Sequence, residues 1–135
     1  MIMPKNKNKL LFFCIIQNLI VTLQLEVENE ENKIMVKHVI LWTLNPDLSE
    51  EEKSTVKAGI KEGLEGLVGK VPGLIDAKVN VSGRLESSNA DVMLDSTLES
   101  EAALKAYATH PEHVAVANNK VRPYTVQRTC LDFEI

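Results

Sequence analysis

The run Val36 to Leu44 (VKHVILWTL) is apolar on both faces of an extended chain. Successive side chains of a strand alternate, so Val39 and Leu41 point one way, and Val36, His38, Ile40, Trp42 and Leu44 the other. A strand that is greasy on both sides belongs in the middle of a sheet, covered above and below. Few folds meet that demand in a chain this short. Asn45-Pro46-Asp47 ends the run with turn residues.

The segments that follow supply the covering layers. Ser49 and Glu52 are spaced as a capping box, and Glu50 to Glu52 suit the positive end of a helix dipole. These acids read as capping and solvated charge, not as a metal site. Val56, Ile60, Leu64, Leu67 and Val68 then recur on one helical stripe. Gly59 and Gly63 lie near that stripe and predict close approach to a sheet, with Gly69 as the C-terminal stop. Val71-Pro72-Gly73 is a turn. Leu74 to Ser82 alternates, with Ile75, Ala77, Val79 and Val81 as its buried face. A polar loop, 83–89, leads to a third strand, Ala90 to Leu98. Ser100 opens a second helix that ends near Thr109, because the residue before Pro111 avoids the helical region. Pro111 suits the first turn of a short helix running to about Val121 and stopped by Pro123. Tyr124 to Ile135 is the last strand, with Gln127, Thr129, Leu131 and Phe133 opposite Val126, Arg128, Cys130 and Asp132.

Strand, helix, strand, strand, helix, strand is the split βαβ order of an α+β, ferredoxin-like fold. It predicts a four-stranded antiparallel sheet with helices on one face. The second face stays bare, yet the first strand is apolar there too. A bare apolar face of that size marks an association site. The economical outcome is a two-fold homodimer whose open faces meet and close a barrel. Trp42 and Phe133 are expected in the core or at that interface.

Residues 1–34 read differently. Lys5, Lys7 and Lys9 precede Leu10-Leu11-Phe12-Phe13-Cys14-Ile15-Ile16, the layout of a signal-like segment. Gln17 and Asn18 break the apolar run, which is short for a membrane span, and Leu25-Glu26-Val27-Glu28 offers no small-residue cleavage site. Glu30-Glu31 can be encoded as a purine-rich ribosome-binding sequence just upstream of Met35. The expected organisation is therefore a mis-assigned leader or signal-like segment over 1–34 and one domain over 35–135.

Composition narrows the function. A net charge of −4 leaves no basic footprint for nucleic acid and no cationic face for a stable membrane association. Cys14 and Cys130 make neither metal spacing nor a disulfide framework, and read as inert buried thiols in a reducing compartment. A cytoplasmic location follows, with export or anchoring as the alternative if residues 1–34 are genuinely translated. The groups able to move a proton near neutral pH are concentrated in Tyr107-Ala108-Thr109-His110-Pro111-Glu112-His113. The remaining histidine, His38, lies in the first strand, and the fold is expected to bring it near this segment. Each could equally be structural: His110 and His113 bonded to helix ends, His38 satisfied in the core.

Val36-Lys37-His38-Val39-Ile40-Leu41, Val71-Pro72-Gly73, Tyr107-x-x-His110-Pro111-x-His113-Val114 and the closing strand resemble the stress-responsive A/B barrel (Dabb) family over Met35 to Ile135. The resemblance implies dimeric α+β barrels of ferredoxin-like protomers, a stress-response label and, for most members, no assigned chemistry. One plant member, a polyketide cyclase, performs an intramolecular aldol condensation without metal or cofactor. By position, its strand histidine falls on His38, its catalytic tyrosine on Tyr107 and its catalytic histidine on His113. Two further pocket groups do not carry over, falling on Ile60 and Val92. The implied chemistry is cofactor-free acid/base catalysis, a cyclisation or isomerisation of a small carbonyl compound. His113 would be the base, kept neutral by the positive end of its helix. Tyr107 would donate to the enolate oxygen, His38 would support, and His110 would form the turn. The alternatives are a non-catalytic dimer that binds a hydrophobic small molecule or protects other proteins, and, by fold analogy, a cofactor-free oxygenase.

Overall fold

The computed structural model describes residues 6–31 and 34–135, with the side chains of 8–24 in the first stretch. Two compact units separate between Lys33 and Ile34. The first is a single helix, α1 (Asn6–Glu31). Lys5 and the Asn32-Lys33 junction, both used in reading the leader, lie outside the described residues. Among the described residues, no helix is long and apolar enough to cross a membrane.

The second unit runs β1 (Val36–Leu44), α2 (Glu50–Glu65), β2 (Leu74–Asn80), β3 (Val92–Leu98), α3 (Glu101–Thr109), α4 (Pro111–Val116) and β4 (Thr125–Glu134). The sheet order is β2-β3-β1-β4, and every pairing is antiparallel. β1 is therefore central, as its two-sided apolar pattern requires. The capping box at the start of α2 is complete. Ser49 Oγ accepts from the Glu52 amide at 3.1 Å, and Glu52 Oε2 accepts from the Ser49 amide at 2.9 Å. Val56, Ile60 and Leu64 of α2 press onto Ile40, Leu94 and Leu98, burying a side chain worth roughly 1.5–3 kcal/mol at each fully covered position.

Several local expectations are corrected. α2 stops at Glu65, with Gly66 at the cap, so Gly69 lies beyond the helix in a turn at φ 88°. Leu67 remains buried, but Val68 has left the stripe and is 40% exposed. Gly63 meets helix, not sheet: a Cβ there would sit 2.8 Å from Cγ1 of Val116 on α4. β2 carries a register shift between Leu74 and Asp76, where Ile75 is the extra residue. The shift turns Ile75 outward, 46% exposed, and puts Leu74 in the core instead. Beyond α4 the chain continues as a π-helical turn, Ala117–Val121, and a 3-10 turn, Arg122–Tyr124.

One sheet face lies under the helices. The other displays Val39 and Leu41 of β1 beside Leu131 and Phe133 of β4. Leu41, Leu131 and Phe133 are exposed, and a Lys37–Asp95 ion pair at 3.1 Å crosses the same face. Trp42 is in the core, whereas Phe133 is on the open face. Cys130 is exposed rather than buried, and so is Cys14.

Candidate active site

His38 sits on β1 facing the helices, and its position is fixed from both neighbouring strands. Ser96 Oγ on β3 donates to the His38 carbonyl at 2.8 Å. On β4, Asp132 stands directly opposite and its Oδ1 lies 2.5 Å from His38 Nδ1. A carboxylate only accepts, so Nδ1 carries the proton and Nε2 is left as the basic nitrogen.

Pro111 bars His110 from helical geometry, so α3 ends and α4 restarts at once. His110 is extended, with φ −64° and ψ 132°, and its Nδ1 accepts from the Glu112 amide at 3.1 Å. It caps α4, the turn-forming part expected of it. This restart puts His113 on the third residue of α4, against Tyr107 near the end of α3. The two rings lie 4.2 Å apart by centroid, tilted by 36°. His38 approaches the same tyrosine edge-on at 5.9 Å. Tyr107 is thus flanked by two imidazoles drawn from separate parts of the chain.

The three rings line a cavity of about 390 Å³, within the range of small-molecule sites, whose apolar wall includes Trp42, Leu64 and Leu104. Tyr107 is 2% exposed, and its hydroxyl donates to no protein group among the described residues. No fully sealed side-chain polar atom there lacks a partner, so the hydroxyl must border the cavity. Burial pushes its pKa up to about 12, with the Arg128 charge opposing. The phenol is a neutral donor at ordinary pH.

Burial pushes the pKa of His113 down, and the charges of His38, Arg122 and Arg128 add to that. The Ala108 carbonyl, 3.3 Å from His113 Nδ1, acts in the opposite sense. The expectation of a neutral His113 stands, but its main cause is desolvation, not the helix dipole. With Nδ1–H donating to Ala108, Nε2 holds the free lone pair.

Asp132, Arg122 and Arg128 were not singled out from the sequence. Asp132 and Arg128 reach the site only through the pairing of β4 with β1, a register spanning 94 positions in the case of Asp132. The alternation along β4 was the available signal, since it set Arg128, Cys130 and Asp132 on one face. Ile60 and Val92 are sealed in the core, at 0% and 2% exposure, rather than on the cavity wall.

A groove of about 570 Å³ on the far side of His38 is bordered by Cys130 and Asp132. Donor atoms of His38, Cys130 and Asp132 fall within 4.8 Å of one another. The 2.5 Å between His38 and Asp132 is a hydrogen-bond distance. Two ligands about 2 Å from a shared tetrahedral zinc would stand near 3.3 Å apart. The arrangement is that of a proton-bridged pair. A hollow beside loop 83–89 is lined by Arg84 and Asp91, already paired with each other at 3.1 Å.

The model of the stress responsive A/B barrel domain matches residues 36–135. No curated protein matches the sequence. Among solved structures, a dimeric ferredoxin-like protein of unknown function from Bacteroides fragilis is 33% identical. The alignment covers 75% of this chain and 96% of that one, with a TM-score of 0.70. A Dabb family protein from Mesorhizobium loti is 16% identical over 74% of this chain and 95% of its own, at TM-score 0.58. The hydroxynitrile lyase of Passiflora edulis is 16% identical over 76% and 94%, at 0.59. The last two likenesses are of fold alone.

Proposed function

This chain belongs to the stress responsive A/B barrel domain family, and we propose that it is a homodimeric, cofactor-free acid/base enzyme acting on a small carbonyl compound. The observation that carries this reading is the buried phenol of Tyr107, without a protein partner for its hydroxyl, held between His38 and His113 at the cavity. A buried polar group is costly unless something completes its hydrogen bonding. A ligand carbonyl oxygen is the acceptor that fits a neutral donor.

In the proposed reaction His113 Nε2 removes a proton from the carbon next to that carbonyl. The electron pair of the broken C–H bond moves into the enolate, and Tyr107 donates to the enolate oxygen. The enolate carbon then attacks a second carbonyl of the same molecule, which is a cyclisation. Alternatively it is reprotonated elsewhere, which is an isomerisation. His38, held by Asp132, supports the opposite side of Tyr107. The dimer is supported by the exposed apolar face around Leu41, Leu131 and Phe133 and by the dimeric B. fragilis relative. The cytoplasm is the proposed compartment, where the exposed Cys14 and Cys130 would stay reduced.

The test follows exchange of the benzylic protons of phenylpyruvate and of its methyl ester in heavy water by NMR. The protein should accelerate exchange in at least one of them, and His113→Ala should remove about 10²–10⁴-fold of the acceleration. Acceleration in neither probe, or full acceleration by the variant, rejects the enzyme reading. Binding without exchange would leave the non-catalytic ligand-binding reading, which the apolar wall around Trp42 also supports.

A further inference from the structure

We infer that the same cavity holds an anion subsite made by Arg122 and Arg128, and that its ligand is a carbonyl compound bearing a carboxylate. The inference rests on the acid/base reading above for the carbonyl, but the charge argument stands on separate residues.

The cavity wall contains both arginines and no acidic side chain. That is a strong local bias in a chain with 19 acids against 15 lysines and arginines. Neither arginine forms an ion pair among the described residues, where six pairs are found. The third arginine of the chain, Arg84, shows the contrast. It pairs with Asp91 at 3.1 Å and donates to the Ala90 and Ser88 carbonyls, far from any proton-moving group.

The acids of the neighbouring groove do not quench the cavity charge. Asp132 is bound to His38, and Glu101 is paired with Lys105 at 3.6 Å. Arg122 is oriented by a neutral acceptor, with Nη1 donating to Asn118 Oδ1 at 2.5 Å. Arg128 enters from β4 directly opposite Trp42, so it faces the helix side of the sheet. Two guanidinium groups beside a partnerless phenol suit a planar carboxylate on the molecule whose carbonyl meets Tyr107. Guanidinium–carboxylate geometry is bidentate and charge-assisted, which makes such pairs selective as well as strong.

Calorimetric titration with phenylpyruvate and with its methyl ester isolates the charge, since the two share carbonyl and ring. The acid should bind about 10–100-fold more tightly than the ester, the span expected for hydrogen bonds to a charged group. Arg128→Gln and Arg122→Gln should each reduce that preference, and the double variant should abolish it. Both side chains are exposed, so folding is checked by circular dichroism and expected unchanged. Equal binding of acid and ester, binding of neither, or a preference untouched in the double variant overturns the subsite. Proton exchange separates the two ideas. Lost acid preference with intact exchange removes the subsite alone. Intact preference without exchange removes the acid/base reading alone.

Discussion

Tyr107 and His113 are six positions apart in sequence, yet their rings stand 4.2 Å apart because Pro111 forces one helix to end and another to begin between them. Neither residue would face the other on a continuous helix, where positions three and four apart are neighbours. The chemistry of the cavity depends on that interruption.

Removing only the Tyr107 hydroxyl should separate catalysis from packing. Tyr107→Phe is expected to keep the fold and lower proton exchange by about 10²–10³-fold, the effect of losing one oxyanion donor. Tyr107→Ala should cost about 3–5 kcal/mol of stability as well, as for other large aromatic truncations. Urea unfolding of the two variants checks the difference.

Acidification should act through His113. Its folded pKa lies below the usual value near 6.5, so the unfolded chain binds more protons between the two. Stability from this group is full above pH 6.5 and is lost as pH falls towards the folded pKa. Exchange activity should persist just below pH 6.5, because the base is still neutral there, and fall at lower pH. Unfolding midpoints of the native protein and His113→Gln, measured from pH 7.5 to 4.5, should diverge above that window and draw closer within it.

The Asp132 carboxylate orients His38, so its loss should alter the site more than the fold. The pair is partly exposed on the Asp132 side, and solvent screening keeps its stability contribution small. Asp132→Asn should leave the unfolding midpoint within about 0.5 kcal/mol and lower exchange by about 10-fold or more. A large loss of stability with normal exchange would assign Asp132 a purely structural part.

Gly63 is where α2 lets α4 come close. Alanine is the better helix former by about 1 kcal/mol, yet its Cβ would stand 2.8 Å from Val116 Cγ1. Gly63→Ala should therefore destabilise by about 1–2 kcal/mol through overpacking. Adding Val116→Ala should restore most of the loss, a coupling that a double-mutant cycle would read directly.

The open sheet face should govern assembly. Leu131→Asp, alone or with Phe133→Asp, puts charge beside Val39 and Leu41 without touching the helix-side core. Sedimentation equilibrium should find a dimer for the native chain and a folded monomer for the double variant.

Much of this architecture was legible in advance. The bounds of β1, the Ser49–Glu52 capping box and the break before Pro111 follow from local rules that need no tertiary partner. What could not be read was set by register. The extra residue at Ile75 reverses the inward set at the start of β2, and nothing in Leu74-Ile75-Asp76-Ala77 marks it locally. His38, Tyr107 and His113 were recognisable as titratable or hydrogen-bonding groups around a proline. Asp132 and Arg128 look like ordinary strand polar residues until β4 is laid against β1.

The π-helical turn at Ala117–Val121 makes chain length a control on the cavity. Such a turn holds one residue more than an α-helical turn would. Deleting a single residue there would let the segment relax, swinging whatever follows by about 100° around the helix axis. Arg122 would leave the wall, and the closing strand would arrive out of phase with Trp42. A one-codon change in a stretch with no catalytic group could thus recharge the cavity and retarget it towards uncharged compounds.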